Sequence, residues 1–204
     1  MPANISFNPS LMTQPQNSFL LESQGYIQGL TADDPVSRMY LLAGMVGSAV
    51  TVPVWGGMGI AVNVGGLSSA GMPNQTVVPA ITTQLNGFTV FDQAINMTQI
   101  PGNSVPVSVA GQNVAYYTFG SNARIALPVA SGSFAALETD PIGAQLYWDT
   151  TAYNLTTTSS GSTVALPTSV KVLAVDNNSR AVSYNSGTGA VTWLEGQDMA
   201  LIMI

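Results

Sequence analysis

Residues 41–66 read LLAGMVGSAVTVPVWGGMGIAVNVGG, and this stretch decides the fold class. Branched residues recur at every second position in two runs: Val50, Val52, Val54 and then Ile60, Val62, Val64. A period of two is the period of a β-strand, in which alternate side chains share one face. The stretch therefore predicts two β-segments on either side of a glycine-rich bend, PVWGGMG, at residues 53–59.

The same stretch has no charged side chain, and none occurs between Arg38 and Asp92. A membrane-spanning helix needs about 20 predominantly apolar residues. Here Pro53 and repeated glycines interrupt the run, its branched residues alternate, and Arg38 is the only basic residue nearby. We therefore expect no membrane insertion, and we expect the uncharged stretch to be covered by other protein.

The chain after this stretch continues as short apolar runs separated by turn-forming residues. The further candidate strands are 87–96, 104–110, 113–119, 124–129, 144–148, 153–158, 170–175, 180–184, 190–193 and 199–204. Asp176–Asn178 and Asn185–Gly189 are interpreted as turns between them. Short strands spaced by turns are typical of a sandwich or barrel. The sequence predicts one all-β domain over residues 36–204, with a single short helix from Asp34 to Leu42.

Residues 1–35 are predicted to form an extended N-terminal arm. Neither strand nor helical periodicity persists there, and four prolines interrupt any hydrogen-bonded ladder. A terminus without fixed structure is the alternative, but many large apolar residues would then be left in water. Four of them are candidate protein contacts: Phe7, Met12, Phe19 and Tyr26.

Two further contact candidates, Trp55 and Met58, flank the predicted bend. Backbone is tight at such a bend, so we expect their side chains to point outward. Aromatic residues and methionine are enriched where proteins meet. Filling a core is the ordinary alternative for both residue types.

Composition excludes several functional classes. Only 7% of the 204 residues are charged, the net charge is −6, and the four basic residues are scattered. Binding nucleic-acid phosphates requires clustered cations, so direct nucleic-acid binding is not expected. The chain has no histidine and no cysteine, which excludes a Ser-His-Asp triad, a Cys-His pair and a His- or thiolate-ligated metal site.

The catalytic side chains that remain to be considered are the carboxylates of Asp and Glu. The only close acidic clusters, Asp33-Asp34 and Glu138-x-Asp140, adjoin prolines and are interpreted as turn residues. A glycosidase needs two carboxylates facing each other across a cleft, and this spacing does not supply them. We predict no enzyme activity, no cofactor and no metal.

Three segments resemble one known family. Residues 25–60 (GYIQGLTADDPVSRMYLLAGMVGSAVTVPVWGGMGI), 143–162 (GAQLYWDTTAYNLTTTSSGS) and 170–176 (VKVLAVD) resemble the structural cement, or capsid decoration, proteins of tailed double-stranded DNA bacteriophages. The resemblance implies a β-barrel or jelly-roll-like sandwich that binds the outside of an icosahedral capsid and bridges neighbouring subunits of the major capsid protein. It carries over no catalytic residues.

The expected partners are thus the major capsid protein and further copies of this chain, as a dimer or trimer, on the outer capsid surface of the virion. An exposed arm is suited to adding a strand to a neighbour's sheet edge. The alternative is a carbohydrate- or receptor-binding β-sandwich of a virion fibre or surface protein. That alternative predicts exposed, coplanar aromatic rings in a groove.

Overall fold

Most of the described chain is β-strand. The computed structural model describes residues 25–32, 37–67, 73–91, 105–141 and 143–204. Its strands are β1 (Leu42–Val46), β2 (Gly59–Leu67), β3 (Pro73–Pro79), β4 (Gly87–Val90), β5 (Asn113–Thr118), β6 (Arg124–Pro128), β7 (Tyr147–Asp149), β8 (Asn154–Thr156), β9 (Thr163–Ala165), β10 (Lys171–Asn185) and β11 (Ala190–Met203). A 3-10 helix spans Ser37–Tyr40, and helix α1 spans Ser131–Thr139.

The first five strands close into a barrel in the order β1-β3-β2-β4-β5. β1 and β3 run parallel, and the other four strand pairs are antiparallel. Val46, Val77 and Val62 lie side by side across β1, β3 and β2 and belong to the core cluster inside the barrel. Valines alternate with other residues along these strands, so the valine side chains line the barrel interior.

Two three-stranded sheets accompany the barrel. One has the order β10-β11-β6 and the other β8-β7-β9, and both are antiparallel. Their apolar side chains form a second core cluster with Leu137 of α1 and with Phe88 and Tyr117, which belong to the barrel strands β4 and β5. The all-β prediction is confirmed: the sheets pack into a barrel and sandwich.

Strands β4 and β5 are buried on both faces. All four residues of β4 and the residues 114–117 of β5 are buried. Tyr116 packs inside the barrel, while Phe88 and Tyr117 pack against the sheets outside it. The outer surface left to the barrel is therefore that of β1, β2 and β3.

Residues 25–32 lie along the body and contain a turn, closed by a hydrogen bond from the Leu30 N–H to the Ile27 carbonyl (3.2 Å). Their main chain pairs with β10 through the Gln28 N–H and the Arg180 carbonyl (2.9 Å), and with β6 through the Gly29 N–H and the Ala126 carbonyl (2.9 Å). The Gln28 side chain accepts a hydrogen bond from the Val182 N–H at 2.7 Å. This part of the predicted arm is tied to the body; residues 1–24 and 33–36 lie outside the described residues.

Several details of the predicted elements were wrong. The predicted helix from Asp34 to Leu42 is, among the described residues, a 3-10 helix over Ser37–Tyr40, and Leu42 already belongs to β1. The sequence prediction lacked β3 and β9, and the described residues 105–110 of its strand 104–110 form no strand. The run from Val50 to Trp55 is not a strand, because Pro53 has no N–H to donate; only Val54 forms an isolated bridge, with Ser108. Asp176–Asn178 is not a turn but a bulge inside β10, since the partner strand β11 continues opposite it. Helix α1 had no counterpart in the sequence prediction.

Removal of residues 1–32 is expected to destabilise the body, because it leaves buried main-chain groups of β6 and β10 without partners. Removal of residues 1–24 is the matched control, since it keeps every contact described above. Each kcal/mol lost lowers the Tm of a chain this size by about 2–4 °C. We expect the longer truncation to lower the Tm by at least about 4 °C relative to the shorter one, measured by circular dichroism. Equal Tm values would contradict this prediction.

Candidate functional site

The six predicted contact residues do not form one site. Phe7, Met12 and Phe19 lie outside the described residues. Tyr26 is half-buried and packs against a small cluster of Ala126, Ala181 and Met199. Burial raises the pKa of the Tyr26 phenol above its ordinary value, and the nearby Asp176 carboxylate raises it further.

The predicted outward orientation of Trp55 and Met58 is wrong. Trp55 is 1% exposed and Met58 is fully buried, and both belong to the core cluster inside the barrel. The bend turns these side chains inward, so neither offers a surface to a partner protein in this structure.

Thr89, at the centre of β4, holds the bend in place. Its hydroxyl donates to the Trp55 carbonyl (2.5 Å) and accepts from the Met58 N–H (2.9 Å). The main chain adds a bond from the Gly57 N–H to the Thr89 carbonyl at 2.7 Å. Gly57 has φ +80°, a conformation that glycine adopts without steric cost. These hydrogen bonds therefore fix the bend to β4, which is fully buried.

An aromatic cluster surrounds Trp55. The Tyr153 ring meets the indole edge-to-face, with ring centroids 5.3 Å apart and an interplanar angle of 80°. The Tyr184 ring is tilted by 33° at 5.7 Å. The two tyrosine rings therefore lie at a large angle to each other and are not coplanar.

The two tyrosines face a cleft of about 640 Å³. It lies between the turn joining β7 to β8, which contributes Thr150–Asn154, and the part of the β10–β11 hairpin that contributes Ala181–Tyr184 and Leu194. Trp55 forms part of its wall, and Asp198 is the only charged residue in the lining. We call this space the aromatic cleft.

A second candidate surface lies on the barrel strands β1, β2 and β3. Met45, Thr76 and Asn63 form a row across β1, β3 and β2, next to the inward-facing valine row. Side chains alternate between the faces of a strand, so this row faces outward. The exposed residues of segments 39–45, 63–65 and 75–83 are called the neutral wall below.

The neutral wall is apolar as well as uncharged. None of the five barrel strands contains Asp, Glu, Lys or Arg. Six of the eight large hydrophobic side chains that are exposed among the described residues lie in these segments; they are Met39 (84%), Tyr40 (54%), Leu42 (41%), Met45 (38%), Val64 (71%) and Ile81 (52%). Met45 faces outward, whereas Leu42 and Val64 are exposed although they share the inward-facing side of their strands with Val46 and Val62. Exposed apolar groups concentrated in this way mark surfaces that bind other molecules.

Neither a metal cluster nor a membrane helix is found in the parts of the chain that the structure describes. Within residues 25–32, 37–67, 73–91, 105–141 and 143–204, no three metal-ligating side chains come together. In the same ranges, no helix has the length and hydropathy needed to span a bilayer. Of the acidic clusters, Asp33-Asp34 lies outside these ranges. Asp140 accepts a hydrogen bond from the Gly143 N–H (2.9 Å), as expected for a turn residue, but Glu138 lies inside helix α1, so its interpretation as a turn residue was wrong.

The comparisons with known proteins identify no relative. No family model, no curated protein and no solved structure matches this chain. The resemblance to cement proteins therefore stays a prediction from the three segments quoted above.

The sequence prediction indicated a protein contact in the uncharged stretch but named the wrong residues for it, and it missed the aromatic cleft. Met39 to Met45 lie within the uncharged region, and the absence of charge was the available signal for the neutral wall. Tyr153 and Tyr184 had no such signal, because they meet Trp55 only through tertiary packing.

Replacing Thr89 with valine is expected to loosen the bend. The change keeps the shape of the side chain but leaves the buried Trp55 carbonyl and Met58 N–H without this partner. An unsatisfied buried polar group costs about 1–3 kcal/mol, so Thr89→Val should lower the free energy of unfolding by at least that amount in chemical denaturation. Thr83→Val, at an exposed position, is the control and should have little effect. A Thr89→Val variant as stable as the parent would refute the role of this hydroxyl.

The Tyr153 phenol in the aromatic cleft should also make the protein less stable at alkaline pH. Burial raises the pKa of Tyr153 above 10.0, and Tyr184 raises it further. The folded state then holds the phenolic proton more tightly than the unfolded state, so this stabilisation is complete below pH 10 and is lost as the pH rises through the folded pKa. In a phenolate absorbance titration, Tyr153→Phe should remove a transition with a midpoint above 10.0. Loss of a transition at or below 10.0 would contradict the expected shift.

Proposed function

We propose that this chain is a virion structural protein that binds the outer surface of an icosahedral phage capsid and stabilises it by bridging neighbouring major capsid protein subunits. The observation that carries the proposal is the neutral wall. Soluble domains ordinarily cover about a quarter to a third of their surface with charged residues. A barrel whose strands carry none, and which exposes large hydrophobic residues along β1 to β3 and the segments that flank them, is suited to lie against protein.

The position of the neutral wall suits such a contact. Strands β4 and β5 occupy the side of the barrel that packs against the rest of the chain, which leaves β1, β2 and β3 for a partner. Met45 and its neighbours on these strands are held by main-chain pairing on both sides. A partner therefore meets a preformed surface, which lowers the entropy cost of association.

The resemblance of the three sequence segments to cement proteins supports the capsid as the partner. A protein that binds the assembled shell but not its separated subunits lowers the free energy of the shell by mass action. Many copies on one particle would add such increments. Contacts made through apolar burial would also persist at high ionic strength, because salt screens charge pairs and not apolar contacts.

Self-association as a dimer or trimer is part of the same proposal. Two copies joined beside the neutral wall would present two capsid-binding surfaces, and such linkage raises the overall affinity for a repeated lattice. The absence of charge from the wall removes one obstacle to close approach of like subunits. Sedimentation velocity of the isolated chain measures this state directly.

The test is a charge placed on the neutral wall. Met45→Lys puts an ammonium at an outward-facing strand position that is 38% exposed, and burying this charge at an interface is costly. Leu173→Lys is the matched control, because Leu173 is similarly exposed (44%) and lies on β10, which is not a barrel strand. With shells of the major capsid protein encoded alongside this chain, Met45→Lys should weaken binding at least about tenfold, and Leu173→Lys should leave it unchanged.

Particle stability provides the second readout. Shells decorated with the parent chain or with Leu173→Lys should rupture at a higher temperature than bare shells, whereas shells mixed with Met45→Lys should behave as bare ones. Raising NaCl from about 0.1 to 1 M, which shortens the Debye length from about 10 to 3 Å, should not release the parent protein. Equal rupture temperatures for bare and decorated shells would rule out the cement role.

A further inference from the structure

The aromatic cleft is unused by the proposed capsid contact, because its lining shares no residue with the neutral wall. Its volume of about 640 Å³ falls in the range of about 300–1,000 Å³ that is usual for small-molecule sites. Its lining combines the rings of Tyr153 and Tyr184 with short polar side chains. Such a mixture of aromatic rings and a few polar groups is the ordinary composition of a ligand site.

The turn that carries Tyr153 is held in a defined conformation. Tyr153 has φ +55°, which is uncommon for a residue other than glycine. The Asp149 carboxylate accepts hydrogen bonds from the Thr151 and Ala152 N–H groups at 2.8 and 2.9 Å, and the Asp149 carbonyl accepts one from the Tyr153 N–H at 2.9 Å. Non-glycine residues in this conformation persist only where the surroundings enforce it, and they concentrate at functional sites.

The chemistry of the lining restricts the class of ligand. Asp198 is its only charged residue, so the cleft has no cation to hold an anionic group. A wholly apolar ligand would cut off the Asn154 amide and the Ser183 hydroxyl from water without replacing their hydrogen bonds. The lining therefore disfavours anionic and wholly apolar ligands, and it suits a molecule that presents both C–H surface and many hydroxyl groups.

We propose that the aromatic cleft binds a neutral saccharide, with one terminal sugar ring seated between Tyr153 and Tyr184. The C–H face of a pyranose packs on an aromatic ring, while its hydroxyls exchange hydrogen bonds with amide and hydroxyl side chains such as Asn154 and Ser183. Because the tyrosine rings lie at a large angle, they form a corner and not a flat platform. A corner accepts the end of a glycan in preference to the middle of an extended chain.

The site lies at the meeting point of three parts of the chain. Trp55 belongs to the bend pinned by Thr89, Tyr153 to the β7–β8 turn, and Tyr184 to the hairpin formed by β10 and β11. Closing of the cleft on a ligand would alter the surroundings of the Trp55 indole. Intrinsic fluorescence is therefore expected to change on binding.

The experiment uses the full chain and defined probes. Methyl glycosides of glucose, galactose, mannose and N-acetylglucosamine are titrated by calorimetry and by ligand-observed NMR, with glucuronic acid as an anionic probe and choline as a cationic one. At least one neutral glycoside should bind saturably, and more tightly than glucuronic acid and choline. No saturable binding at tens of millimolar sugar, or tighter binding of either charged probe, overturns the proposal.

Substitutions locate the binding on the protein. Tyr184→Ala should weaken the best glycoside at least about tenfold, and Tyr184→Phe, which keeps the ring, should weaken it less. Asn154→Ala gives a second test that leaves the aromatic packing intact. Tyr40→Ala, at an exposed tyrosine on the neutral wall, is the matched control and should bind sugar like the parent. Parent-like affinity in both Tyr184→Ala and Asn154→Ala overturns the placement in the cleft.

The two proposals can be tested independently of each other. Met45→Lys is expected to lose shell binding and to keep sugar binding, because Met45 is on the neutral wall. Asn154→Ala is expected to show the reverse. Loss of both activities in either variant, with an unchanged Tm, would show that the two surfaces are not separate and would overturn the assignment of sugar binding to the cleft alone.

Discussion

The burial of β4 and β5 on both faces is the constraint on which the rest of the structure depends. One face of these strands closes the barrel and the other packs against the remaining sheets, so the two core clusters meet across them. Thr89 lies in β4 and can hold the 55–58 bend only because that strand has no access to water. The bend in turn places Trp55 where Tyr153 and Tyr184 can pack on it.

The same constraint determines which surface the barrel leaves free. With β4 and β5 covered, β1, β2 and β3 present the outer side, and these strands carry no charged residue. Most charges of the described chain lie on other elements, for example Glu138 on α1 and the ion pair between Arg180 and Glu195, 2.7 Å apart; Arg38, in the 3-10 helix next to Met39, is an exception. The five barrel strands are thus the uncharged part of the molecule, suited to protein contact.

Sequence periodicity predicted the strands better than it predicted the site. Ile60 to Val64 form part of β2, and the apolar C-terminus forms the last part of β11, paired between β10 and β6. Pro53 interrupted the neighbouring run because a residue without an N–H cannot continue a ladder. The bulge at Asp176 was indistinguishable from a turn, since in both structures a short side chain accepts hydrogen bonds from the N–H groups that follow it.

The sequence by itself determined that the chain is β-structured, that residues 39–91 carry no charge, and that it has no histidine or cysteine chemistry. These properties follow from local spacing and residue type. Only the tertiary structure decided that Trp55 and Met58 face inward, that Met45 faces outward, and that Tyr153 and Tyr184 share a cleft. The reason is physical: alternation shows which side chains share a face of a strand, but which face is buried depends on strands and turns that are distant in the chain.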